Sequence, residues 1–142
     1  INPASFSDKD AYLATLCASR YDVLVIDLFW DEATALTVDE LARVRQKPQG
    51  GNRLILAYMS IGEAESYRWY WNPSWRPGSP SWLGPENPDW AGNYLVRYWE
   101  DSWQDIIVGS AGYLDKIISA GFDGVYLDII DAFERCEELA GM

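Results

Sequence analysis

Two stretches of this chain, Asp22–Phe29 and Arg53–Ser60, are nearly unbroken apolar runs rich in β-branched and aliphatic residues. A strand with one face in water alternates apolar and polar side chains, whereas a strand covered on both faces is apolar throughout, as in a parallel sheet. Helical signals lie between these runs. Ser7–Asp10 reads as a helix start, with Leu13, Leu16 and Cys17 following at helical spacing. Thr37–Glu40 has the spacing of a capping box and leads into Leu41 and Val44, before Pro48, Gly50 and Gly51 stop the helix. Tyr94–Trp99 reads as a third strand, shorter and more polar. From Asp101 an apolar stripe (Trp103, Ile106, Ile107, Leu114, Ile117, Ile118) predicts one helix ending at Gly121, followed by a fourth strand at Phe122–Asp128 and a last helix within Ile129–Leu139. Strands alternating with helices predict an α/β class of parallel βα units in a single domain over residues 1–142. Four strands at roughly 30 residues per unit fit a small doubly wound sheet or half of a (β/α)8 barrel. No glycine-rich phosphate loop follows the first strand.

Residues 61–93 interrupt this alternation. They hold Pro73, Pro77, Pro80, Pro85 and Pro88 of the seven prolines, and Trp69, Trp71, Trp75, Trp82 and Trp90 of the eight tryptophans. So many large rings demand burial or a ligand, and the segment is expected to be a packed loop roofing one end of the sheet. Some of the tryptophans would form a satellite core there.

The chain has 11 basic and 22 acidic residues and no histidine, giving a formal charge of −11. Nucleic acid and anionic membranes are therefore unfavourable partners, because phosphate recognition requires clustered Lys and Arg. Without an imidazole there is no Ser-His or Cys-His nucleophile, so acid–base chemistry falls to carboxylates. Cys17 and Cys136 lie far apart with no C-x-x-C spacing, as expected of plain thiols. No cofactor is indicated, and a carboxylate-only site for Mg or Ca has no EF-hand-like spacing behind it.

Ligands of parallel sheets sit beyond the carboxyl ends of the strands, and acids recur at those points. The first run contains Asp27; the second leads into Glu63 and Glu65; Arg97, Tyr98 and Trp99 close the third; Asp128 ends the fourth, with Asp131 just beyond. All are expected to project into one mouth. A carboxylate within an apolar strand is unfavourable unless paired, hydrogen-bonded or protonated. Two acids in one cleft with different surroundings can divide the roles of proton donor and base or nucleophile, as glycosidases require. Plainer readings stand beside this one: a strand-end Asp capping a loop or helix, Glu65 facing solvent, Asp131 capping the last helix, and Arg97 neutralising a neighbouring acid.

The segments Leu56–Glu65, Trp82–Trp90 and Gly121–Asp131 together resemble glycoside-hydrolase family 114, the endo-α-1,4-polygalactosaminidase-like proteins. The likeness runs from about Tyr21 to Phe133. It implies a (β/α)8 scaffold, secretion and hence an extracellular location, and endo-hydrolysis of a galactosamine-containing polysaccharide. It also implies that Glu63 and Asp128 are the catalytic acids and that Asp27 occupies the corresponding acidic position. On this reading Glu63 is the proton donor and Asp128 the base or nucleophile, with Asp27, Glu65, Arg97, Tyr98, Trp99 and Asp131 contacting substrate. Family members are longer, so the chain resembles the middle of a barrel and would self-associate if it were complete. The rival expectation is a non-catalytic carbohydrate-binding or assembly module.

Overall fold

The side chain of Asp8 accepts the backbone N–H of Ala11 at 2.8 Å and so caps helix α1 (Lys9–Ala18). Helix α2 (Val38–Arg45) opens with a complete capping box, in which Thr37 Oγ1 accepts from Glu40 N and Glu40 Oε2 accepts from Thr37 N. Glu40 also pairs with Lys9 at 2.9 Å. The computed structural model describes residues 2–140.

The apolar runs form β1 (Val23–Ile26), β2 (Leu54–Ser60) and β6 (Gly124–Asp128), which make a three-stranded parallel sheet in the order β1-β2-β6. Val23 pairs with Leu54 and Ile26 with Ala57, so the two runs lie in step along their lengths. Between β2 and β6 come β3 (Glu63–Glu65), β4 (Leu83–Glu86), β5 (Asn93–Val96), α3 (Asp101–Val108) and α4 (Tyr113–Ala120); α5 (Ala132–Ala140) closes the described chain.

Two expectations need correction. Tyr94–Trp99 is not a parallel strand, because β5 runs antiparallel to both β3 and β4 in a second sheet of order β3-β5-β4. The cause is the turn before it. Pro88 and Gly92, the latter at φ 86°, reverse the chain between β4 and β5, and the strand ends at Val96 before the polar residues begin. The single helix expected from Asp101 is two, α3 and α4, divided where Ala111 takes φ 61° between Gly109 and Gly112. The apolar stripe continues across the break, with Trp103, Ile107, Tyr113 and Ile117 all buried.

The described chain groups into two compact units. The first comprises the residues up to Met59 together with Asp115–Tyr126. Its core is an aliphatic cluster of Leu13, Leu16, Leu24, Ile26, Leu36, Leu41, Val44 and Ile55 around the ring of Tyr12. Burial and the charge of Asp27 push the Tyr12 phenol well above its ordinary range. The Asp123 carboxylate accepts from Arg45 and, at 2.8 Å, from Ile55 N. Partial burial alone would raise Asp123, but these bonds bring it below the ordinary value.

Arg53 starts the second apolar run and is 2% exposed. It donates to the carbonyls of Leu16 (3.2 Å) and Ser19 (2.8 Å) and to Ser19 Oγ, satisfying acceptors at the C-terminal end of α1 that no helix turn follows. Arg53→Leu keeps the apolar stem and strands those acceptors. It is expected to lower unfolding free energy by about 2 kcal/mol in urea titrations; an unchanged midpoint would show that water replaces the guanidinium freely.

The second unit comprises Ser60–Leu114 and the residues from Leu127 onward. Its core is aromatic. Trp82 packs edge-on against Trp75 and tilted over Trp103, with ring centroids 5.0 Å apart in both pairs. Tyr70 meets Trp103 edge-on at 5.8 Å, and Trp71 joins Trp75 to Tyr94. Trp103 Nε1 donates to Ile61 O at 3.0 Å, which ties the ring stack to the turn after β2. No helix among the described residues is long and apolar enough to cross a membrane.

Candidate active site

The chain leaves β2 at Ser60, whose hydroxyl donates to Glu63 O (3.0 Å) and accepts from Glu63 N (3.3 Å). This local ring closes a tight turn and delivers Glu63 into β3. Ile61 N donates to the carbonyl of Asp128 at 3.1 Å, so the end of β6 is hydrogen-bonded to the same turn. The backbones carrying Glu63 and Asp128 are thus joined within the second unit. Gly62 makes the approach possible, since a Cβ there would fall 2.2 Å from Ile129 O and 2.4 Å from Ala132 Cβ.

Glu63 is 1% exposed and has both oxygens engaged. Oε1 accepts from Asn87 Nδ2 at 2.7 Å, and Oε2 accepts from Asn93 Nδ2 at 3.1 Å. Arg135 Nη1 lies 3.7 Å from Oε1, an ion pair whose arginine is partly in solvent. Two side-chain amides and a guanidinium thus face the Glu63 carboxyl group. Asp128 is only partly buried at its strand end.

The other expected site residues fare differently. Glu65 does not face solvent: at 2% exposure it accepts from Tyr67 Oη (2.8 Å) and Arg68 Nε (2.5 Å), which use its two oxygens internally. The Tyr70 hydroxyl accepts from Glu65 N at 3.0 Å, and its phenol is pushed far up by burial and by the Glu65 charge. Arg97 pairs with Glu100 at 3.5 Å in the exposed turn after β5, an arrangement of little energetic weight. Tyr98 and Trp99 are exposed and meet edge-on, with centroids 5.0 Å apart. Asp131 is exposed, and its carbonyl accepts from Glu134 N at 3.0 Å in the first turn of α5. Asp27 belongs to the first unit, follows β1 directly and accepts from Phe29 N at 2.9 Å.

Of the five tryptophans in residues 61–93, four are packed into the ring stack or its margin. Trp90 alone is exposed, at 69%. It sits at the tip of the turn between β4 and β5, where Trp90 N donates to Asn87 O and Asn93 N donates to Trp90 O. Sequence reasoning missed Asn87, Asn93 and Arg135. The signal for the asparagines was present in Asn87-Pro88 and Gly92-Asn93, turn pairs flanking a hairpin tip, which would set the two asparagines opposite each other.

Both cysteines are free thiols. No group of three or more Cys, Asp or Glu able to hold a metal ion lies together among the described residues.

Residues 9–141 match the profile of glycoside-hydrolase family GH114. Among relatives, an uncharacterised protein of Deinococcus radiodurans is 45% identical over 123 residues, covering 87% of this chain and 37% of the relative. The uncharacterised protein MJ1477 of Methanocaldococcus jannaschii is 41% identical over 132 residues, covering 92% of this chain and 36% of its own length. The chain therefore spans little more than a third of the length of these two relatives. The crystal structure of Aspergillus fumigatus Ega3 in complex with galactosamine superposes with a TM-score of 0.56 at 24% identity, covering 84% of this chain and 43% of that one. That likeness establishes a shared fold, and the parallel βα units are those of part of a (β/α)8 barrel.

Proposed function

The chain belongs to glycoside-hydrolase family GH114, and on that premise we propose that it carries part of the catalytic face of an extracellular endo-glycosidase acting on an α-1,4-linked galactosamine polymer. The observation that carries the reading is the Ile61 N to Asp128 O hydrogen bond, which joins two carboxylate-bearing segments at the strand ends of one unit. Asp128, partly accessible, is the acid assigned to the glycosidic centre. Glu63, buried on the segment hydrogen-bonded to that strand end, is the second carboxylate. A galactosamine polymer whose amines are free is polycationic, and a chain of net charge −11 attracts it over distances of a Debye length.

Trp90, Tyr98 and Trp99 supply the exposed ring faces on which sugar C–H faces stack. The test is release of reducing ends from polygalactosamine, with oligosaccharide products distinguishing endo from exo cleavage. Binding without cleavage would favour the module reading instead. Trp90→Ala is expected to raise KM for long substrates roughly threefold to tenfold with kcat little changed, the scale of one lost ring contact. An unaltered KM would remove Trp90 from the binding surface.

A further inference from the structure

We infer that Asn87 and Asn93 are positioning residues that jointly fix the carboxylate plane of Glu63, and that the β4–β5 hairpin is the device that holds them. The inference rests on the reading of Glu63 as one of the two working carboxylates. One hydrogen bond would leave a carboxylate free to swing about its terminal torsion; two donors on two different oxygens remove that freedom. Asn87 and Asn93 provide those two donors, at 2.7 and 3.1 Å. Arg135, at 3.7 Å and partly exposed, adds charge without setting direction.

The asparagines are themselves held. Asn87 Oδ1 accepts from Asp89 N at 3.0 Å, and Asn93 Oδ1 accepts from Tyr67 Oη at 3.2 Å. With each amide oxygen already accepting, each NH2 group is turned toward Glu63. The hairpin that carries them is closed by Asn87 N donating to Asn93 O at 2.7 Å and by Gly92 N donating to Glu86 Oε1 at 2.7 Å. At φ 86°, Gly92 takes a backbone conformation closed to most side chains, and a Cβ there would meet Ser66 Oγ at 2.8 Å.

This bonding defines a clean test. Asn87→Asp and Asn93→Asp are isosteric and keep every bond accepted by Oδ1, so the hairpin's own contacts survive. Each loses one N–H donor to Glu63 and sets a like charge against it. In an active enzyme each variant is expected to lose about 100-fold in kcat per folded molecule, with KM within about twofold, while the buried like charge lowers the melting temperature. A purely structural role would lower the melting temperature and leave kcat per folded molecule alone.

A second readout needs no activity and so separates this inference from the proposed function. At one fixed pH, the 13Cδ resonance of Glu63, identified by its loss in Glu63→Gln, is expected to move in Asn87→Asp relative to the wild type, because one of its two amide donors is gone. An unmoved resonance would overturn the inference whether or not the wild type cleaves polysaccharide. A variant that fails to fold is bypassed by the wild type itself. The side-chain NH2 groups of Asn87 and Asn93 should give slowly exchanging, resolved amide signals that shift in Glu63→Gln; fast solvent exchange at both would equally overturn it.

Discussion

Asp128→Asn is expected to lower reducing-end release from polygalactosamine by about two to four orders of magnitude, the range spanned by removal of a positioned acid or base. Asparagine has nearly the shape of aspartate but neither accepts a proton at neutral pH nor attacks an anomeric carbon, so the loss falls on chemistry. Binding should persist, because the exposed rings of Trp90, Tyr98 and Trp99 are untouched. The separation is measured by titrating the variant with galactosamine oligomers in parallel with the kinetics. Added azide discriminates further: if Asp128 is the nucleophile, or the base that deprotonates the attacking water, azide replaces that carboxylate or that water at the anomeric carbon, the leaving sugar oxygen departs protonated by the acid, and the product is a glycosyl azide of inverted configuration. A variant retaining half of the wild-type rate would remove Asp128 from the reaction. Since its backbone carbonyl already accepts from Ile61 N, the residue would then be a purely architectural strand end.

The hydrophobic pattern made the parallel sheet legible because the signal was long and one-sided. Asp22–Phe29 and Arg53–Ser60 could bury both faces only in a covered sheet, and they pair in register from Val23–Leu54 to Ile26–Ala57. Capping chemistry was equally readable at Thr37 and Glu40, since both halves of the box lie within four residues. Tyr94–Trp99 misled because β3, β4 and β5 run only three to four residues each. At that length a strand's partner is set by the turn beside it rather than by its own composition. The helix after Asp101 misled for a related reason: the stripe kept its period, but two glycines and the left-handed Ala111 broke the backbone beneath it.

The candidate site was half legible. Acids at strand ends stand out against an apolar background, which made Glu63 and Asp128 candidates in the sequence, and the segments carrying them are hydrogen-bonded through Ile61 N and Asp128 O. What could not be found was whether a given acid was open or already satisfied. Glu63 and Glu65 are two residues apart and look alike in the chain, yet one is gripped by two side-chain amides and the other by a tyrosine and an arginine. That difference depends on partners up to 30 residues distant, brought near by turns whose geometry no local periodicity encodes. The same holds for the tryptophans. Five occur in one segment, but only the hairpin tip leaves Trp90 in water while Trp82 is sealed into the ring stack.

Gly62→Ala is expected to destabilise the second unit by about 3 kcal/mol, at the upper end of the usual overpacking range. Its φ is not among the left-handed values, so the backbone itself would accept a side chain there. By the ordinary argument, replacing glycine with alanine at such a position stabilises a protein by restricting the unfolded chain, by about 0.4–1 kcal/mol. Space reverses that sign. The added Cβ would lie 2.2 Å from Ile129 O, 2.4 Å from Ala132 Cβ and 2.8 Å from Ile129 Cγ2, and the first of these is backbone that cannot rotate away. Relief requires the turn after β2 to retreat from the start of α5, which would stretch the Ile61 N to Asp128 O bond and displace both carboxylates together. The variant should therefore lose activity beyond its loss of folded population. Gly124→Ala is the control, since its nearest contact is the flexible Leu56 Cδ2 at 3.3 Å and only a small change is expected. Urea unfolding of the two variants decides the matter: equal midpoints would mean that the turn has slack, and that the Ile61 N to Asp128 O bond does not depend on the missing side chain at Gly62.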